Sequence, residues 1–279
     1  MVYTRPRPKF APVILFPMDT PADRLASQVV YSLQEDVRET MNTERSKKQT
    51  IGISEIGTDC DRCLARKVSG IYVKPQDPSW KAQVGTFIHA GLEEHFGQKY
   101  GDLDLETKRY VPRNPNPTDT DWAYHMERRL VIKDFGLFVL EGSCDMYIQG
   151  ASFGVVDDWK TQGTKKLAST AAGKISPDYI TQMHTYGLGY HLLGYPVTHV
   201  VLYALPRDGE LDDAKPVLMR WDPQVAIDRL AKIESMIEAA NVIGWPMLIQ
   251  AQDRAGHCFS CPEYEALETG DFIKDLTGS

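Results

Sequence analysis

The run Gly154-Val155-Val156-Asp157-Asp158-Trp159-Lys160-Thr161 places paired acids just ahead of a lysine in an otherwise apolar stretch. In a β-strand alternate side chains share a face, so Val156, Asp158 and Lys160 point one way while Asp157 and Trp159 point the other. Parity therefore selects Asp158 as the partner of Lys160. A carboxylate beside an ammonium at a strand end suits phosphodiester cleavage: the acid binds a hard divalent cation, and the amine orients an attacking water or steadies charge on phosphorus. The same tripeptide also fits a surface ion pair, because charged side chains mostly face water.

A second acid changes the balance. Gly142-Ser143-Cys144-Asp145 sets a carboxylate within the apolar run from Phe138 to Ile148, and a turn at Gln149–Ser152 would bring Asp145 beside Asp158 on one face. Two acids converging away from water repel unless a cation lies between them. Gly85 and His89 stand four apart on one helix face, where an imidazole can serve as a ligand for a Mn²⁺-like ion or as a half-buried structural histidine. Gln182 and Tyr186 share a face of a later helix, spaced to reach the same cleft.

Four of the five cysteines form two Cys-x-x-Cys pairs far apart in the chain, Cys60/Cys63 and Cys258/Cys261. Outside an oxidising compartment such pairs read as metal ligands, and their spacing suits zinc and an iron–sulfur cluster equally. His257 adjoins Cys258, as a substitute ligand or as a bystander. Cys144 has no partner in sequence and reads as a small buried hydrophobe.

The elements that must position these groups follow from periodicity and punctuation. Val84, Phe87, Ile88, Leu92, His95 and Phe96 recur at helical spacing, predicting a helix from Val84 to about Lys99. Beyond a loop at Pro112–Asp121, strands are expected at Arg129–Asp134, Leu137–Ile148 and Phe153–Lys160, as an antiparallel meander. A helix over about Asp178–Leu193 is stopped by Gly194 and Pro196. It is followed by a strand at Val197–Leu205, a shorter one near Val217–Trp221, and a helix from Asp222 and Pro223 to about Ile243. Toward the N-terminus an irregular arm leads to a helix capped at Thr20 with the stripe Leu25, Val29, Leu33 and Val37, then a linker at Asn42–Thr50. The order is that of an α/β protein with a central mixed sheet covered on both sides.

The ordered set Gly85…His89, Gly142…Asp145, Asp158-Trp159-Lys160 and Gln182…Tyr186 resembles the RecB-like nucleases of the PD-(D/E)XK superfamily, most nearly the CRISPR-associated, AddB-like and phage-borne exonucleases. The resemblance spans roughly residues 50–265, leaving 1–49 as an N-terminal arm and 266–279 as a tail. It implies a restriction-endonuclease-like core in which His89, Asp145, Asp158 and the Trp159 carbonyl hold Mg²⁺ or Mn²⁺. Lys160 would be the catalytic lysine, with Gln182 and Tyr186 supporting the active site and the DNA strand. It also implies a [4Fe-4S] cluster on Cys60, Cys63, Cys258 and Cys261 that ties the two ends of the domain together, with Zn²⁺ as the alternative. Two departures stand out: Asp158 occupies a place where many relatives carry Glu, and the cysteines divide two and two where one and three is common.

With 279 residues, 42% hydrophobic and 25% charged, the composition is that of a globular protein with a substantial core. The early apolar run Ala11–Phe16 is too short and too proline-broken for a signal or a membrane span, so a cytoplasmic protein with no membrane partner is expected. The net charge of −7 weighs mildly against nucleic acid, although a local lining of Lys160, Lys165, Lys166 and Lys174 can coexist with an acidic exterior. The expected activity is exonucleolytic hydrolysis of DNA, single-stranded or with free ends, and a protein partner could dock on the N-terminal arm. The competing readings are a non-catalytic nucleic-acid-binding module with a structural zinc or iron–sulfur centre, and a hydrolase for RNA or small phosphoesters.

Overall fold

The computed structural model describes residues 20, 21, 50–70, 80–256, 258 and 261. Apart from Thr20 and Pro21, the expected arm, its helix and the C-terminal tail lie outside the described residues, as does His257. The chain divides into two compact units, Met1–Lys47 with Asp77–Gln83 and Lys48–Gln76 with Val84–Ser279, and every candidate site residue belongs to the second.

The sheet of that unit is organised around β5 (Val139–Gln149). Strand β4 (Ala123–Asp134) runs antiparallel along one whole edge, from Ala123 opposite Gln149 to Asp134 opposite Val139. The other edge is shared. There β1 (Thr50–Gly52) pairs in parallel with Val139–Glu141, and β6 (Gly154–Gln162) pairs antiparallel with Met146–Gln149. Between these two partners, Gly142 to Asp145 face no strand, and the sheet opens into a fork. Beyond β6, β7 (His199–Pro206) runs parallel and β8 (Lys215–Arg220) antiparallel, completing a six-stranded mixed sheet. A separate hairpin joins β2 (Gly101–Asp104) to β3 (Arg109–Pro112).

Helices flank both faces. On one, α1 (Asp61–Ser69), α4 (Pro177–Leu192) and α5 (Pro223–Ile243) bury Leu64, Met183, Tyr190 and Ile233 against Val156, Val200 and Leu202. On the other, α2 (Trp80–Tyr100) lays Ile88, Leu92 and Phe96 against Met126, Met146, Trp159 and Leu205. Short helices α3 (Thr164–Ala171) and α6 (Trp245–Ala251) follow β6 and α5. The start of α5 forms as its sequence dictates: the Asp222 side chain accepts the backbone N–H of Gln224 at 2.9 Å, with Pro223 in the first turn.

The α/β layering and the meander β4–β5–β6 agree with expectation, and several details differ. Strand β4 begins at Ala123, well before Arg129, because residues 123–128 find partners on the far half of β5. Thr50 opens β1 and does not belong to a linker. The hairpin β2–β3 and helices α3 and α6 are additions with weak periodicity in the sequence.

Besides a register shift between Val131 and Lys133, strict alternation fails at one shared rung of two neighbouring strands. Cys144 and Met146, two apart on β5, lie in opposite cores, and so do Met126 and Leu130 on β4. Each strand has therefore slipped by one residue, as at a β-bulge. The slip in β4 coincides with Glu127, a non-glycine residue at φ +43°. Because both strands slip together, the register is the same before and after, with Met126 opposite Met146 and Arg128 opposite Cys144. Glu127 thus stands across from Asp145.

Candidate active site and metal centre

The fork is where the acids gather. With no β5 backbone in reach, the Trp159 N–H donates to Asp145 Oδ2 at 2.6 Å, which fixes the carboxylate between the strands. The other oxygen, Oδ1, lies 3.1 Å from Nδ1 of His89 on α2. Gly85 lets α2 come close, since a Cβ there would lie 3.0 Å from the Thr161 hydroxyl; the neighbour is a side chain and not a backbone segment. Glu127 completes the group: ligand atoms of His89, Glu127 and Asp145 all lie within 4.8 Å of one another.

Burial, then the charges of Asp145 and Glu93, push Glu127 up to about 8, so that it is mostly protonated at neutral pH. An imidazole and two carboxylates, one of them protonated through burial and then through its anionic neighbours, form a donor set that fits Mg²⁺ or Mn²⁺.

Asp158 stands beside this trio with different partners. Its Oδ2 pairs with Lys160 Nζ at 2.6 Å, and its Oδ1 accepts from Gln182 Nε2 at 3.1 Å. The same amide lies 3.2 Å from the Tyr186 hydroxyl, so both α4 residues brace the acid from behind. Asp158 is only 1% exposed. Burial raises it to about 6, with Lys160 pulling down and Asp145 pushing up. For Lys160, burial favours the neutral amine, but Asp158 and Asp145 outweigh it and leave the group above its ordinary value, charged at neutral pH. The ammonium stands 5.8 Å from the centre of the Tyr179 ring.

Asp157, on the other face as parity requires, accepts from the Trp159 indole at 3.1 Å. Its Oδ1 meets no hydrogen-bond donor among the described residues, and burial raises the group to about 7.

The structure therefore brings His89 to Asp145 and brings Lys160, Gln182 and Tyr186 to Asp158, while Trp159 enters through its N–H. The expected meeting of Asp145 and Asp158 on one face takes another form: Asp145 turns toward α2 and Asp158 toward α4, because β5 slips just there and β6 does not. Glu127 is absent from the sequence reading. A glutamate within Tyr124-His125-Met126-Glu127-Arg128 has no alternation around it, and only a residue forced into the left-handed region would have signalled the site. Lys165, Lys166 and Lys174 are exposed. Cys144 is fully buried in the core.

The second constellation joins the two ends of the domain. Cys60 caps α1 and Cys63 lies in its first turn. Cys60 and Cys261 place their Sγ atoms 3.5 Å apart, and Cys63 lies 3.4 Å from both Cys258 and Cys261. Burial and then the adjoining thiols push Cys63 upward, a crowding that a bound cation would relieve. Arg66, 1% exposed, directs Nη1 to Cys261 Sγ at 3.5 Å. Arg62 clasps the returning chain through the carbonyls of Gln252 and Gln250, both at 3.1 Å.

No family model and no curated protein matches the chain. Among solved structures, it is similar to the alkaline exonuclease LHK-Exo of Laribacter hongkongensis, with 12% identity, a TM-score of 0.46, and coverage of 74% of this chain and 95% of that one. It is also similar to LHK-Exo in complex with dAMP, with 13% identity, a TM-score of 0.44, and coverage of 73% and 93%. No helix among the described residues is long and apolar enough to cross a membrane.

Proposed function

We propose that this chain is a metal-dependent deoxyribonuclease of the RecB-like, PD-(D/E)XK type, acting on DNA with free ends. The observation that carries the reading is the convergence of His89, Glu127 and Asp145 within 4.8 Å of one another, beside a buried Asp158–Lys160 pair. In this reading His89, Glu127 and Asp145 hold Mg²⁺ or Mn²⁺, with Asp158 and the Trp159 carbonyl as the further ligands that the family resemblance assigns. A divalent ion there supplies the positive charge that acidifies a water and offsets the phosphate. Lys160, charged and 20% exposed, orients the attacking water and steadies the negative charge that grows on phosphorus. Gln182 and Tyr186 are positioning residues, holding Asp158 in one rotamer. The thiolate centre is structural and takes no part in the chemistry.

Cleavage of linear and circular single-stranded DNA with Mg²⁺ or Mn²⁺ is the direct test. Linear DNA is degraded and circular DNA spared if free ends are required. Asp158→Ala and Lys160→Ala each lower the rate by about 10²–10³-fold while DNA binding persists. A wild-type protein that binds DNA and cleaves nothing with either ion would leave the binding-module reading in its place.

A further inference from the structure

The four cysteines are too close together for the cluster that the family resemblance implies. In a four-iron cluster each thiolate takes its own iron, irons and sulfides alternating at the corners of a cube, so the cysteine sulfurs are separated by an iron–iron face diagonal plus two outward-pointing bonds. Ligands that share one ion are much nearer. With Zn–S bonds of about 2.3 Å in a tetrahedron, neighbouring sulfurs lie about 3.8 Å apart. Here the Sγ···Sγ separations are 3.5, 3.4 and 3.4 Å for Cys60–Cys261, Cys63–Cys258 and Cys63–Cys261, and all four sulfurs lie within 4.8 Å of one another. The centre of that group has room for one ion and none for a cube of irons and sulfides. Even a two-iron cluster requires the sulfurs on one iron to stand well apart from those on the other.

We infer that Cys60, Cys63, Cys258 and Cys261 bind a single tetrahedral zinc ion in place of an iron–sulfur cluster. Each pair contributes as the spacing allows: Cys60 at the cap and Cys63 in the first turn of α1 aim both sulfurs off the helix N-terminus, and Cys258 and Cys261 approach from the returning chain. Uptake displaces the thiol protons and leaves a four-thiolate complex with a net negative charge, which the buried guanidinium of Arg66 offsets. Zinc has no redox chemistry in proteins, so the clasp neither senses oxidants through its metal nor requires an electron supply. This inference does not depend on the nuclease reading, because its tests read metal content and spectra and not cleavage.

The full chain, purified under nitrogen, is analysed for zinc, iron and acid-labile sulfide. One equivalent of zinc, no sulfide and a colourless solution are expected. Exchange of the zinc for Co²⁺ then gives the intense visible bands and sulfur-to-metal charge transfer of a tetrahedral thiolate site. Iron and sulfide in equal, multiple equivalents with a brown chromophore would overturn the assignment, as would Co²⁺ that binds with only the faint spectrum of an octahedral oxygen site. Cys258→Ser, at the half-exposed ligand, lowers the charge-transfer intensity by about a quarter, as expected on losing one of four thiolates, whereas His89→Ala leaves it unchanged. If the serine variant fails to fold, the wild-type cobalt spectrum still decides.

Discussion

Glu127 is the residue on which the acid cluster turns. In the metal-free protein it sits at about 8, Asp157 at about 7 and Asp158 at about 6, against ordinary values of 4.5, 3.8 and 3.8. The folded chain therefore holds protons that the unfolded chain would release. All three are protonated in both states below about pH 4, and their contribution to stability is fully present there. It is lost progressively as the pH rises through the folded values, from about 4 to about 8. Thermal melts of metal-free protein across this range should show a falling midpoint, and added Mn²⁺ should restore it most at the alkaline end. Glu127→Gln should flatten the upper part of that fall and weaken Mn²⁺ binding about ten-fold or more by calorimetric titration. An unchanged slope between pH 6 and 8 would remove Glu127 from the cluster. The spacing of His89, Asp158, Lys160, Gln182 and Tyr186 was legible in the sequence, since each sits on an element whose period is regular around it, whereas Asp145 showed only as an acid within an apolar run because alternation breaks at its rung. Glu127 was not legible, because its position depends on a backbone irregularity that residue types do not announce.

At the scale of elements, the fork exists because β1 and β6 occupy opposite ends of one edge of β5. Sequence patterning reads strands one at a time, so the meander could be seen in it and the division of that edge could not; β1 is only three residues long, too short for a periodic signal. Helix α4 must then lie close against the sheet for Gln182 to reach Asp158, and glycines permit it. A Cβ on Gly189 would come within 2.8 Å of Ile132 Cδ1 and 3.0 Å of Leu130 Cβ. Gly189→Ala gains up to about 1 kcal/mol of helix propensity but overpacks the α4–β4 contact at about 1–3 kcal/mol. Chemical denaturation should show a net loss of about 1–2 kcal/mol, with a drop in cleavage larger than the stability change explains if α4 shifts away from Asp158. A variant as stable as wild type would show that α4 has slack to spare.

Across the whole molecule, the thiolate clasp joins residues near the start of the described domain to residues near its end. Closing so long a loop restricts the unfolded chain and contributes about 5 kcal/mol at most, equivalent to roughly 10–20 °C in melting temperature for a chain of this size. Chelation should lower the melting temperature by an amount of that order and expose the chain beyond α6 to limited proteolysis before the sheet opens. Equal protease resistance with and without metal would deny the clasp its structural role. The paired cysteines were plain in the sequence, and their bearing on the ends of the domain followed from it. The inference of zinc rests on distances that spacing along the chain does not encode.

The paired slip of β4 and β5 makes the site intolerant of length changes in either strand alone. Removing Glu127 by itself would return β4 to plain alternation while β5 kept its kink. Every side chain beyond that point would keep its core and its partner, and Asp145 would be left with no residue opposite it, as the unmatched residue of a one-sided bulge. Only a matched deletion, one residue from each strand at the same rung, would leave the ladder intact, and it would erase both acids at once. The acid cluster and the continuity of the sheet thus share one rung, and the backbone there cannot be shortened without the loss of an acid.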